Sequence, residues 1–181
     1  SPSRGLGDVY KRQNQYNRLN VDVTTNQYQS PISLLTLELI QKIKFGIFRW
    51  ENTITYQKSS NNDILGVPDL NIYSNLYMKF KIAKVLSCDL GADVRYFTEY
   101  YAPDYSPALG SYTVQDGTDK VKIGNYPFVN VYANFLLKHT RFFVMYSHVN
   151  AGSGSKRYFL TPHYPTNERI FRFGVSWNFF N

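Results

Sequence analysis

A two-residue repeat runs through most of this chain. Over 18–25, Leu19, Val21 and Val23 oppose Arg18, Asn20, Asp22 and Thr24. Over 35–44, Leu35, Leu37, Leu39 and Ile43 oppose Thr36, Glu38, Lys42 and Lys44. Over 47–58, Phe48, Trp50, Ile54 and Tyr56 oppose Arg49, Glu51, Thr53, Thr55 and Gln57. The cleanest runs are Leu70, Ile72, Leu76, Met78, Phe80, Ile82 and then Leu86, Cys88, Leu90, Ala92, Val94, Tyr96, each interleaved with polar residues and tyrosines. Val129, Val131, Ala133, Phe135 and Leu137 form another. Over 141–150 the pattern weakens, since Phe143 and Met145 sit opposite Phe142, Val144 and Tyr146. The end, 167–179, alternates Phe171, Phe173, Val175, Trp177 and Phe179 with Arg172, Gly174, Ser176 and Asn178. Successive side chains of a strand point to opposite faces, so these runs predict about eight strands with one apolar face each. No segment shows a helical period. Connections near Gly46, Lys84 and His139 are short. Those over 59–69, 101–125 and 151–166 are long and rich in Gly, Pro, Asn, Asp and Tyr. Alternating short and long connections predict an up-and-down antiparallel sheet.

The apolar faces could meet a protein core or lipid. Strands of soluble domains are typically about 5–6 residues, and several runs here reach twelve. At about 3.3 Å per residue and a tilt near 45°, twelve residues rise roughly 28 Å, close to a hydrocarbon layer of about 30 Å. Sorted loop lengths point the same way. The expected fold is all-β: an antiparallel up-and-down transmembrane β-barrel. Its polar positions Arg49, Glu51, Lys79, Lys81, Asp89, Asp93, Arg95 and Arg172 are expected to line a pore, with Glu99 and Arg141 on the same face. Trp50, Tyr56, Phe80, Tyr96, Trp177 and Phe179 fit aromatic girdles near strand ends.

Composition narrows the alternatives. Aromatics are 17% of 181 residues, which argues against disorder. The net charge of +7 is scattered, with no basic run, so no nucleic-acid partner is expected. The mean hydropathy of −0.37 does not oppose a barrel, because only alternate residues would face lipid. With one cysteine, Cys88, no intrachain disulfide can form; Cys88 reads as a small apolar residue facing lipid. The first residues, "SPSRGLGDVYKRQ", fit nothing downstream. Residues 1–13 read as a non-native, adaptor-derived segment, and 14–181 as the C-terminal portion of an outer-membrane β-barrel. No signal peptide is visible, and an envelope protein would need one, so a missing N-terminal region is expected.

The ending resembles the C-terminal recognition signal of bacterial outer-membrane barrels: a polar residue, Gly and two spaced aromatics, here Arg172, Gly174, Trp177 and Phe179. More of the chain is similar to a known family. "GIFRWENTITYQ", "DLGADVRYFTEYYAPDYSPALGSY", "YPFVNVYANFLLK" and "YFLTPHYPTNERIFRFGVSWNFFN" resemble the "putative porin" family of Bacteroidetes outer membranes. Its members are several times longer, with a signal peptide and further strands upstream. The resemblance implies a C-terminal fragment of a larger barrel in the bacterial outer membrane, in contact with outer-membrane lipid, lipopolysaccharide and the barrel assembly machinery.

Catalytic patterns are weak. The three histidines, His139, His148 and His163, lack metal-ligand spacing. Ser147 and His148 are adjacent and point to opposite faces, so they do not form a nucleophile and base. Asp89 and Asp93 lie about 13 Å apart along a strand, too far for a glycosidase pair. "NAGSGSK" lacks the phosphate-loop spacing. No enzyme, metal or cofactor is expected. The expected function is a porin-like channel for passive diffusion of small polar solutes. The alternative is a non-conducting barrel acting as receptor or adhesin through its Tyr-rich loops.

Overall fold

The computed structural model describes residues 10–17, 20–27, 29–107, 109–115, 120–153 and 158–178, the first two of these segments as backbone. Strands β1 (Tyr10–Asn17) and β2 (Asn20–Gln27) pair as a separate hairpin. Then come β3 (Leu34–Phe45), β4 (Phe48–Ser59), β5 (Leu70–Ile82) and β6 (Leu86–Phe97). The short β7 (Asp104–Ser106) and β8 (Ser111–Thr113) pair within a long loop. They are followed by β9 (Phe128–Leu137), β10 (Thr140–Ser147), a second short pair β11 (Phe159–Thr161) and β12 (Tyr164–Pro165), and β13 (Ile170–Trp177). The main sheet has seven strands in the order β13-β10-β9-β6-β5-β4-β3, antiparallel throughout. The chain is all-β, and the sheet is an up-and-down meander, as the alternation predicts. Among the described residues it is open, with β3 and β13 at its edges. No helix among them is long and apolar enough to cross a membrane, which says nothing of strands.

Connections sort as expected. At one end lie three tight turns: Gly46 and Ile47, residues 83–85, and Lys138 and His139. Gly46 takes the left-handed conformation (φ 56°). Ala83 (φ 49°) and Lys84 (φ 61°) do so without being glycine, held by the Val85 N–H donating to Ile82 O at 3.1 Å. Paired left-handed residues match the right-handed twist of the flanking strands. Every long loop lies at the other end. The structure also trims two of the predicted runs: the weak run over 141–150 stops at Ser147, and the final strand spans Ile170–Trp177 rather than 167–179. It adds a strand where the alternation predicts none, since β1 begins at Tyr10, inside the segment 1–13 set apart as non-native, while the run over 18–25 falls largely on β2. Phe179 lies outside the described residues.

Register makes the sheet oblique. The row through Lys42, Glu51, Asn75, Asp93 and Asn130 has eight residues of β3 on its loop side but two of β9. On its turn side it has three residues of β3 and seven of β9. The strand centre thus slips by five residues over four strand-to-strand steps. At about 3.3 Å per residue and about 4.8 Å between strands, this is a tilt of roughly 40°. Closed barrels require a tilt in that range.

The core does not lie on the apolar face of the sheet. Buried apolar residues collect in the long loops, among them Ile64, Ala102, Ile123, Tyr126, Ala151 and Tyr158. The loops around β7–β8 and β11–β12 meet: His163 Nδ1 lies 2.9 Å from Asp104 Oδ2, and the Tyr105 and Tyr164 rings pack edge to face at 5.9 Å.

Candidate functional site

One residue per strand is enough to show how register sorts the two faces. Leu39, Ile54, Ile72 and Tyr96 are direct cross-strand neighbours, as are Leu90, Ala133, Val144 and Phe173. The apolar runs of the seven main-sheet strands therefore land on one side of that sheet. That side is uncovered among the described residues. Phe45 is 79% exposed, Phe173 75%, and Leu39, Val175 and Trp177 about as much as each other at 60–63%. Cys88 lies on its expected side but does not reach the surface there. It shares this face, between Phe80 and Phe135 in register, yet is fully buried, because the larger flanking side chains overhang it.

The opposite face gathers all eight residues expected to line a pore: Arg49, Glu51, Lys79, Lys81, Asp89, Asp93, Arg95 and Arg172. Arg141 joins them, but Glu99 does not. It lies beyond the end of β6 and pairs with Lys122 in the loop, at 3.1 Å. The charges are not equivalent. Arg49 Nη1 donates to Gly46 O at 2.7 Å and Phe48 O at 2.9 Å, so it clamps its own turn. It stands directly opposite Lys44, and like charges opposite one another repel; the two backbone carbonyls give its guanidinium an alternative. Lys79 Nζ lies 3.7 Å from Asp89 Oδ2, while Asp89 Oδ1 is buried without a hydrogen-bond partner. Arg95 lies over the Tyr73 ring at 5.4 Å. Asp93 is only 6% exposed and accepts from Asn130 Nδ2 at 2.9 Å.

Neutral side chains complete this face. They fall at the same alternate positions, but a search by formal charge passes over them. Tyr77 donates its hydroxyl to Glu51 Oε1 at 3.1 Å, and Tyr132 donates to Asn75 Oδ1 at 2.8 Å. Both tyrosines border Gly91. A Cβ there would sit 2.5 Å from Tyr77 Cβ and 2.8 Å from the Tyr132 hydroxyl oxygen, so only glycine leaves room for the two side chains. Gly174 plays a similar part beneath Phe143, its direct neighbour on β10, whose ring would lie 2.5 Å from an added Cβ. This also explains why Phe143 breaks the alternation of β10: it covers a glycine on the polar side.

At the loop end, Tyr126, Phe128, His148 and Tyr158 form an aromatic cluster with ring separations of 4.7–5.5 Å. His148 Nδ1 lies 3.0 Å from Asn167 O, and its Nε2 lies 3.0 Å from the Tyr126 hydroxyl. Burial pushes the Tyr126 phenol above its ordinary range, and its hydroxyl donates to Asn150 O at 2.9 Å. Ser147 and His148 form no catalytic pair in this arrangement, since both ring nitrogens are engaged elsewhere. Among the described residues no group of His, Cys, Asp and Glu is arranged to hold a metal ion.

No curated protein and no solved structure matches the chain. A family model does, over residues 9–181, nearly the whole sequence. The match covers the tilted sheet with its polar and apolar faces and both structured loops, and the chain belongs to the family described as "Putative porin".

Proposed function

We propose that the chain forms part of the wall of a porin-like outer-membrane channel, with the apolar face of the main sheet against lipid and the polar face toward a wet lumen through which small polar solutes diffuse. One observation carries the reading. The apolar side chains are the exposed ones, whereas the polar face holds a buried carboxylate and a cross-strand hydrogen-bond network. A soluble sheet would hide Phe45, Phe173 and Val175, since monomers in water rarely expose contiguous apolar patches beyond a few hundred Å². Lipid removes that cost. Family membership supports a porin-like role at a coarse level. The open edges β3 and β13 support closure by further strands, because unpaired backbone groups in lipid cost several kcal/mol each, as an order of magnitude. The same reading gives the chain outer-membrane lipid and lipopolysaccharide as surroundings. It also makes the barrel assembly machinery the reader of the ending that contains Arg172, Gly174, Trp177 and Phe179.

Planar-bilayer recording on the folded protein tests this. Stepwise conductance is the expected result. Protein that inserts and folds but passes no current would support the receptor or adhesin reading, for which the structured core of the long loops is the supporting observation.

A further inference from the structure

The charges of the polar face are sorted along the strands. Dividing each strand of the main sheet at its midpoint, the halves nearest the short turns carry Lys42, Lys44, Arg49, Lys79, Lys81 and Arg141 on this face, against two carboxylates, Glu51 and Asp89. The halves nearest the long loops carry two cations, Arg95 and Arg172, against two carboxylates, Glu38 and Asp93. The excess positive charge therefore lies wholly at the turn end.

Little of it is neutralised locally. Of the six turn-end cations, Lys79 alone has a carboxylate within ion-pair distance among the described residues. Arg49 is held by neutral carbonyls, and Arg141 Nη2 donates to the neutral Asn134 Oδ1 at 3.3 Å. The two carboxylates of this half are engaged: Glu51 by the Tyr77 hydroxyl and Asp89 by Lys79. Lys84 and Lys138, in the tight turns themselves, add to the same end.

We infer that the turn-end mouth of this wall is an anion-attracting rim, so that the solutes it favours are small anions. The inference rests on the porin-like reading. Fixed charge of one sign, lining a pore with low-dielectric walls, raises the local concentration of the opposite ion and selects by charge before size. The effect weakens with salt as the Debye length shortens to about 3 Å at 1 M.

The test is the reversal potential of the reconstituted, folded protein across a bilayer with a gradient of dilute KCl. The expected result is chloride preferred over potassium. Replacing Lys44, Lys81 and Arg141 together with Gln should lower the chloride-to-potassium permeability ratio several-fold, and raising the salt should do the same in the unaltered protein. Lys58→Gln removes one charge from the opposite face and should leave the ratio unchanged. A channel that conducts but prefers potassium overturns the inference and spares the porin reading, as does a ratio unmoved by the triple substitution. A folded, inserted protein with no conductance overturns both.

Discussion

On one face of the sheet Phe45 and Phe173 stand three-quarters exposed; on the other, Asp93 is 6% exposed and hydrogen-bonded to Asn130. The two faces share the same strands, the same turns and the same backbone pairing. What differs is how their side chains are satisfied. The polar face pairs many of its groups across strands: Tyr77 with Glu51, Tyr132 with Asn75, Asn130 with Asp93 and Lys79 with Asp89. The apolar face has one short polar seam to satisfy and, among the described residues, nothing laid over it. In water such a sheet would expose its costly side and pack its cheap one. In a bilayer the same distribution is favourable, since lipid accepts apolar surface and offers polar groups no partner. The contrast teaches that which face is covered, rather than the alternation itself, distinguishes a soluble sheet from a membrane wall.

The strongest way to break this contrast is to place a charge on each face. Leu76→Arg, mid-strand on the apolar side, should cost roughly 2–4 kcal/mol in folding into lipid vesicles, followed by urea titration. Ser87→Arg, on the polar side, should cost far less. Asn75→Arg is a poorer control than its position implies, because it removes the acceptor of the Tyr132 hydroxyl. Equal losses at Leu76 and Ser87 would mean that lipid does not touch the apolar face.

A second comparison lies within the polar face, between its two covered glycines. At Gly91 an added Cβ meets Tyr77 Cβ at 2.5 Å and the Leu76 carbonyl oxygen at 2.9 Å, both fixed by the backbone. At Gly174 the added Cβ meets only the outer carbons of the Phe143 ring, which can rotate away. Gly91→Ala should therefore destabilise by roughly 1–3 kcal/mol, as overpacking typically does, and Gly174→Ala by clearly less. Urea midpoints of the two variants check it. The reverse order would mean that Phe143 is held as rigidly as a strand backbone.

Asp93→Ala comes next. It leaves the Asn130 amide without its acceptor in a part-buried place, for a cost of roughly 1–2 kcal/mol. Asp93→Asn keeps an acceptor oxygen and should recover much of that loss. If both variants were equally destabilised, the charge of Asp93, and not its hydrogen bond, would be what the face uses.

Much of this fold is legible in the sequence because the strand repeat is two and the register is set by tight turns. Leu70 to Ile82 and Leu86 to Tyr96 announce their faces residue by residue, and the turns at Gly46, Lys84 and Lys138 leave no room for slippage. The charged members of the polar face follow from the same alternation. The parts that resist reading depend on pairs of residues far apart in the chain. Glu99 has the residue type of a wall position, but only the end of β6 at Phe97 and the ion pair with Lys122 show that it belongs to a loop. Phe143 looks like a lapse in β10 until Gly174 is known to be its neighbour. Cys88 is apolar and on the expected side, yet its burial depends on Phe80 and Phe135 from two other strands. The short pairs β7–β8 and β11–β12, of two or three residues each, are too brief for any periodic signal.

The smallest predicted effect concerns the polar seam on the apolar face. The alternation skips a beat at Gln41, Asn52 and Ser74, and register shows why: the three are direct neighbours on β3, β4 and β5. Trp50 Nε1–H donates to Ser74 Oγ at 2.9 Å, Ser74 Oγ–H donates to Asn52 Oδ1 at 2.7 Å, and Asn52 Nδ2 donates to Gln41 Oε1 at 3.3 Å. Each of these residues has a hydrogen-bond partner on a neighbouring strand, and Asn52 is buried. Trp50→Phe removes the first donor while leaving Ser74 its own donation to Asn52, so no group is left unpaired inside the chain. Only the net value of one hydrogen bond is lost, which averages about 0.6 kcal/mol in membrane proteins. Folding titrations in vesicles should show a loss of that order. A loss as large as that of Asp93→Ala would mean that the seam acts as one cooperative network, and that the apolar face, like the polar one, is organised by its hydrogen bonds.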